Sequence, residues 1–338
     1  MKFGEEKKQA IKLYILEKIS EDAKSISGVV ADAFGISKNT VHTYLNELID
    51  GGIIEKGKRG HYKLVTQEFR YSFRRSLGDL NSDTHAFDVS LNRHINMLPE
   101  NIQHIWSYAF SEMVNNVMDH SEAEFMGVII RKNYLQTRVL IMDSGVGIFE
   151  KIKRHFSFSS LDEAICELFK GKLTTDAINH SGEGIFFTSK MMDEFWIVSS
   201  KKIFTTTKYN NDDVFEAEEF LPGTGVFMAL SNFTHKTARE VFDLYSNDNG
   251  AFEKTRIPLK NIFDSAPVSR SQAKRICNRL ELFQEVILDF ADISWMGQGF
   301  AHQLFVVCQT MHPEMKLIPI NMNESVTNMY NHVIHSVE

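Results

Sequence analysis

The stretch Ser111-Glu-Met-Val-Asn-Asn-Val-Met-Asp-His-Ser121 restricts this chain more than any other. Glu112, Asn116 and His120 recur at i, i+4 and i+8, with Asn115 and Asp119 at i+3 and i+7, so a helix would carry all five along one stripe. On the longer helix Asn101–His120 the other face, Ile102, Ile105, Trp106, Ala109, Met113 and Val117, is apolar and reads as its core face. Carboxylates and carboxamides make a poor core face, but they suit a hydrated metal ion and its phosphates. Two further stretches follow. Asp143-Ser-Gly-Val-Gly-Ile148 ends the apolar run Val139–Met142, a buried strand by its pattern, and its glycines let the backbone turn and approach a ligand closely. His180-Ser-Gly-Glu-Gly-Ile185 sets Gly182 and Gly184 just before a helical pattern, where free N–H groups can receive phosphate oxygens.

In this order and spacing the three stretches resemble the nucleotide site of the GHKL superfamily. Glu112, Asn116, Asp119, His120 and Ser121 match its N box. Asp143, Gly145 and Gly147 match the first glycine box, and Gly182-Glu-Gly-Ile185 the second. Gly223-Thr-Gly-Val-Phe-Met-Ala-Leu230 is similar to its closing strand. The resemblance covers roughly residues 85–235 and implies a Bergerat-type α/β sandwich binding ATP and Mg²⁺. It implies that Asp143 accepts from the adenine amino group, that Gly145 and Gly147 keep the floor beneath the base low, and that Thr224 buttresses the adenine. Asn116 would supply an oxygen to Mg²⁺, and Gly182 and Gly184 would offer N–H groups to the phosphates. Glu112 would orient the attacking water or hydroxyl near the γ-phosphate, with Asp119 beside the nucleotide. Asn115, Ser121 and Lys190 could be supporting residues or plain surface, His120 a local hydrogen-bonding residue, and His180 part of the lid.

At 338 residues there is room for two or three domains. No apolar segment approaches a membrane span, and the charged start Met1-Lys-Phe-Gly-Glu-Glu-Lys-Lys8 has no apolar run after it, so a cytoplasmic protein is expected. Cys166, Cys277 and Cys308 are too few and too scattered for a disulfide framework and read as apolar fillers in a reducing compartment. Net charge is −7, yet residues 1–66 hold 11 Lys/Arg against 9 Asp/Glu. Any nucleic-acid role therefore belongs at the amino-terminal end.

Residues 1–66 show helical spacing at Ala10, Ile11, Tyr14, Ile15 and Ile19, a short helix near Val29–Phe34, and a third from Lys38 to about Asp50 with Ser37 as N-cap. A hairpin with a basic, glycine-rich tip follows, through Ile53–Gly60 and His61–Val65. Three helices and a basic hairpin resemble a winged helix-turn-helix. That likeness implies contact with double-stranded DNA through Lys38, Asn39, Thr40, His42 and Thr43, with Lys56, Lys58 and Arg59 on phosphates. A protein-docking or dimerising module is the alternative.

Residues 67–84 read as a polar connector, His85–Pro99 as one helix and Asn101–His120 as the N-box helix. Strands are expected at Phe125–Arg131, Thr137–Met142, Phe195–Ser200, Ile203–Lys208, Val214–Phe220 and Val226–Leu230. The polar stretch 149–181, with a helical Leu161–Phe169, corresponds to the ATP lid, and Gly184–Asp193 to a helix. Beyond a transition at Phe252–Phe263, residues 252–338 alternate helix and strand, a small α/β domain. Val286–Ile293 with Gly297-Gln-Gly-Phe-Ala301 is similar to STAS domains, and closest to an uncharacterised prokaryotic STAS-like family that accompanies GHKL modules. Where true antagonists carry a phosphorylatable serine, this chain has Met296-Gly-Gln-Gly299, so a docking or dimerisation role is expected.

The expected whole is an α+β multidomain protein: winged helix-turn-helix, Bergerat-type sandwich, STAS-like domain. Its expected function is an ATP-binding, weakly ATP-hydrolysing regulatory switch. A protein partner through the STAS-like domain and a homodimer are left open. A serine protein kinase acting on a separate protein, or an ATP-gated docking module without DNA binding, are the alternatives.

Overall fold

The structure, a computed structural model, describes residues 4–58, 61–173, 182–206, 223–263 and 266–335. It is mixed α+β with several sheets. No helix among the described residues is long and apolar enough to cross a membrane. Two compact units are distinguished: residues 1–70 with 129–139 and 230–234, and residues 71–128 with 140–229 and 235–338.

In the first unit, α1 (Glu5–Ser20), α2 (Ile26–Phe34) and α3 (Lys38–Asp50) precede an antiparallel pair, β1 (Ile54–Lys56) and β2 (Tyr62–Leu64). Glu5 and Glu6 open α1 and Lys18 closes it, each matching the helix dipole at its end. Gly35, at φ +63°, ends α2 in the left-handed region that a Cβ would disfavour. The Ser37 hydroxyl accepts the Thr40 N–H at 3.1 Å and so starts α3. Ile11, Ile15, Ile19, Val30, Val41, Leu45 and Leu48 form the core, and Leu135 packs at its margin.

The principal sheet has six strands in the order β3-β4-β5-β8-β6-β7. These are β3 (Gln67–Arg74), β4 (Phe125–Lys132), β5 (Gln136–Asp143), β6 (Glu194–Ser199), β7 (Lys202–Thr205) and β8 (Thr224–Ser231). The segment expected to be a connector thus begins as an edge strand. Phe69, Tyr71 and Phe73 turn inward while Glu68, Arg70, Ser72 and Arg74 face water, an alternation masked by its charged half. The single helix expected over His85–Pro99 is two short ones, α4 (Asp83–Val89) and α5 (Asn92–Ile95), interrupted at Ser90. The helix α6 (Glu100–Asn115) buries Ile102, Ile105, Trp106, Ala109, Phe110 and Met113, then widens into a π turn at Asn116–His120. The expected strand Val214–Phe220 lies outside the described residues, as does the end of Ile203–Lys208.

Helices α7 (Ile148–Phe156), α8 (Leu161–Lys170) and α9 (Gly184–Met191) complete the surroundings of the sheet. A second, parallel sheet has the order β11-β10-β9, from β9 (Lys254–Pro258), β10 (Glu285–Asp289) and β11 (Lys316–Ile320). The stretch read as a proline-broken transition therefore contains β9. Both Pro258 and Pro319 are accommodated because they sit on edge strands, where a missing N–H costs no central ladder bond.

Candidate functional site

The second unit holds a cavity of about 240 Å³, at the small end for ligand pockets. Ile148, Ile152, Leu168, Ile197 and Val226 give it apolar walls, and a few polar groups converge from widely separated segments. Seven of the nine nucleotide-site residues expected from sequence line it: Glu112, Asn116, Asp143, Gly147, Gly182, Gly184 and Thr224.

Asp143 ends β5 and is 6% exposed. Its carboxylate accepts the Gly145 N–H at 2.8 Å and is bonded by both the main-chain N–H and the hydroxyl of Thr224. Burial nevertheless raises its pKa above the ordinary 3.8, outweighing the donors that favour the anion. Thr224 Oγ1 also accepts the Ile148 N–H at 3.0 Å, tying the start of β8 to the start of α7. Gly223, at φ +131°, permits this approach, since a Cβ there would stand 2.0 Å from the Asp143 carbonyl oxygen. The carboxylate is thus fixed entirely by donors, and the partner it suits is another N–H.

Glu112 belongs to α6 and reaches the first residue of α9. A Cβ on Gly184 would lie 1.9 Å from Glu112 Oε2, so only glycine admits that carboxylate here. The amino end of α9 carries partial positive charge, which favours an anion at this point. Gly182, at φ +73°, lies against Leu173, whose N–H donates to the Gly182 carbonyl at 3.1 Å. Burial pushes the Tyr108 phenol up, and the nearby Glu112 and Glu183 carboxylates push it further. It therefore remains an O–H donor one turn from Glu112.

The polar stripe runs into the π turn, and only part of it reaches the cavity. An i→i+5 turn inserts an extra residue into the local register. Asn116, Val117, His120 and Ser121 line the cavity, whereas the exposed Asp119 and the half-buried Asn115 lie outside the lining. Gly145 also differs from expectation. A Cβ there would strike the Ser121 carbonyl at 2.0 Å, and Val146 N–H donates to that same oxygen at 3.0 Å. Gly145 seats the loop against the Ser121 carbonyl beyond the π turn and lies outside the cavity lining. Ser121 itself closes that helix, its hydroxyl donating to Val117 O at 2.6 Å.

Lys151 was missed from the sequence. It lines the cavity from α7, donates to the His120 carbonyl and lies 3.8 Å from Glu122. Its spacing from Ile148 and Ile152 on one helix was the available signal, hidden because the segment from Phe149 read as lid. Lys190 is outside the lining; it lies over the Phe186 ring at 5.1 Å, with burial pulling its amine down to about 8. His180 lies outside the described residues.

The fit to Mg²⁺ rests on Asn116. No group of three or more His, Cys, Asp or Glu among the described residues is placed to hold a metal. A single carboxamide suits Mg²⁺ that takes its remaining ligands from phosphate and water.

In the first unit, Lys38, Asn39, His42, Thr43, Lys56 and Lys58 are exposed, while Arg59 lies outside the described residues. Thr40 is half-buried, its hydroxyl 2.9 Å from that of Ser37, and Thr43 donates to Asn39 O at 3.1 Å. Both threonine hydroxyls are thus engaged locally, in the first turns of α3. Lys63, also exposed, adds a cation on β2.

Residues 272–327 match a family model described as a STAS-like domain of unknown function, DUF4325. No curated protein matches the chain. The C-terminal segment is accordingly STAS-like, and it contains β10 and β11.

Proposed function

We propose that this chain is a regulatory switch that binds ATP with Mg²⁺ in the cavity, hydrolyses it slowly, and acts on DNA through its amino-terminal helices and hairpin. In this reading residues 85–235 form a Bergerat-type GHKL domain and residues 1–66 a winged helix-turn-helix. The observation that carries it is the convergence of Glu112, Asn116, Asp143, Gly147, Gly182, Gly184 and Thr224 on one cavity. Those residues come from four separate stretches with the order and spacing of a nucleotide site.

The roles follow from the chemistry of the lining. Asp143, held by donors, accepts from an adenine amino group and is mismatched to guanine, which offers a carbonyl there. The apolar walls take the base. The N–H groups at the amino end of α9 receive phosphate oxygens, and Lys151 adds positive charge. Asn116 holds Mg²⁺, which when bound neutralises phosphate charge. Glu112, beside the same helix end, accepts the proton of the attacking water.

ATP hydrolysis by the purified full chain, with and without duplex DNA, tests this function. A saturable, Mg²⁺-dependent rate that DNA alters is expected; neither hydrolysis nor binding of ATP would overturn the proposal. Asn116→Ala is expected to lose the Mg²⁺-dependent part of ATP affinity, read by calorimetry with magnesium and with EDTA. Equal magnesium dependence in variant and wild type would remove Asn116 from that role.

Binding to DNA is expected to be weak and salt-dependent. With three or four phosphates neutralised, the log–log slope of affinity against salt should be about −3. Removing Lys56, Lys58 and Arg59 together should flatten it for every sequence, while Asn39→Ala should act on particular sequences. If neither residues 1–66 nor the full chain with ATP binds DNA at low salt, the module docks protein instead.

A further inference from the structure

One helix joins the cavity to the STAS-like segment. Leu168, Gly171 and Leu173 line the cavity, and the far side of the same stretch is held by C-terminal residues. Lys170 and Glu167 on α8 form an ion pair whose side chains are 1% and 4% exposed. The Lys170 ammonium also donates to the carbonyls of Arg275, at 2.9 Å, and Asn278. Glu167 accepts from Asn278 Nδ2 at 3.2 Å and faces Arg279 Nε at 3.6 Å.

The backbone is held as well. The Thr255 hydroxyl donates to the Lys170 carbonyl at 2.7 Å, and the Arg279 guanidinium to the Lys172 carbonyl at 2.8 Å. Between them Gly171, at φ +84°, lies so close to Phe252 that a Cβ would stand 2.8 Å from its ring.

An ammonium has three donors, and all three of Lys170 are occupied: by Glu167, by the Arg275 carbonyl and by the Asn278 carbonyl. Sliding α8 along the helix Arg270–Cys277 would leave a buried charge unpaired, which is strongly disfavoured. Such a contact has discrete arrangements and no continuum between them.

We infer that the STAS-like segment controls the nucleotide cavity through Lys170: displacing the helix Arg270–Cys277 shifts Leu168–Leu173 and, through Leu173, Gly182. This rests on the nucleotide reading above and adds the route of regulation to it. By linkage, if opening of residues 270–282 lowers nucleotide affinity, nucleotide in the cavity raises the free energy of that opening by the same amount. A STAS-like segment without the phosphorylatable serine then has a role inside its own chain.

Amide exchange of the full chain tests the inference. Lys170→Met risks unfolding, so the variant is Thr255→Val with Arg279→Ala, which loosens the contact from β9 and from the STAS-like segment. Without nucleotide, exchange at 168–173 and 182–186 should quicken on the order of tenfold while Val139–Met142 stays protected. Unchanged exchange at 168–173 and 182–186 overturns the inference. In the wild type, ATP with Mg²⁺ should slow exchange at 270–282 as well as at 143–148. Slowing at 143–148 alone overturns the coupling and leaves the nucleotide reading standing. Slowing at neither refutes the nucleotide reading, and the variant's exchange without nucleotide then decides the mechanical link by itself.

Discussion

Glu112→Ala should bind ATP with Mg²⁺ about as tightly as wild type and hydrolyse it on the order of 10²–10⁴ times more slowly. The carboxylate sits against Gly184 at the amino end of α9, where a terminal phosphate oxygen and its attacking water would be brought together. A base at that position acts in the transition state, so its loss falls on turnover and not on ground-state affinity. Any change in affinity should be a modest tightening, because one negative charge leaves the vicinity of the phosphates. Single-turnover hydrolysis beside calorimetry separates the two quantities. A variant that hydrolyses ATP at the wild-type rate would place the base elsewhere, and a variant that no longer binds would make Glu112 a ligand.

Discrimination between ATP and GTP should be about 2–4 kcal/mol, from roughly 30-fold to nearly a thousandfold in affinity. Asp143 is buried and bonded only by donors, so guanine would present a carbonyl oxygen to a carboxylate. Asp143→Asn should lose ATP affinity on a similar scale. Wherever its amide nitrogen points, it meets Gly145 N–H, the Thr224 donors or the adenine amino group. The pH dependence has a defined sign. Folding raises this carboxyl above its ordinary 3.8, so the folded chain holds the proton more tightly than the unfolded one. Asp143 therefore opposes folding while ionised, and that cost disappears as pH falls through its folded pKa. ATP affinity moves the other way: the acceptor is the anion, so binding weakens over the same fall. The loss begins at higher pH than it would for an exposed aspartate. Equal affinities for ATP and GTP would remove Asp143 from adenine recognition.

Parts of this arrangement were legible in the chain because short-range patterns carry them. The apolar spacing from Ile102 to Val117 fixes the buried face of α6, and Ser37 marks the start of α3 through a hydroxyl that needs only its own helix. The glycine pairs at Gly145/Gly147 and Gly182/Gly184 announce close approach, although not what approaches. Gly145 meets Ser121, and Gly184 meets Glu112.

Other parts depend on register or on distant contacts. The π turn at Asn116–His120 leaves no mark in residue type, and Asp119 within it is exposed and outside the cavity lining. The strand β3 was hidden because an edge strand keeps charged residues on its wet face. Neither residue type nor the i, i+3 spacing marks Lys170 and Glu167 as buried. They are buried only because residues more than a hundred positions later supply the carbonyls and the amide that satisfy them.

Calorimetric titration of ATP with Mg²⁺ into the full chain, repeated with Asp143→Asn, tests the central claim most directly. One saturable site per chain in the wild type, lost or reduced at least roughly 30-fold in the variant, is the predicted result. No heat of binding in the wild type, or the same affinity in both proteins, would contradict it.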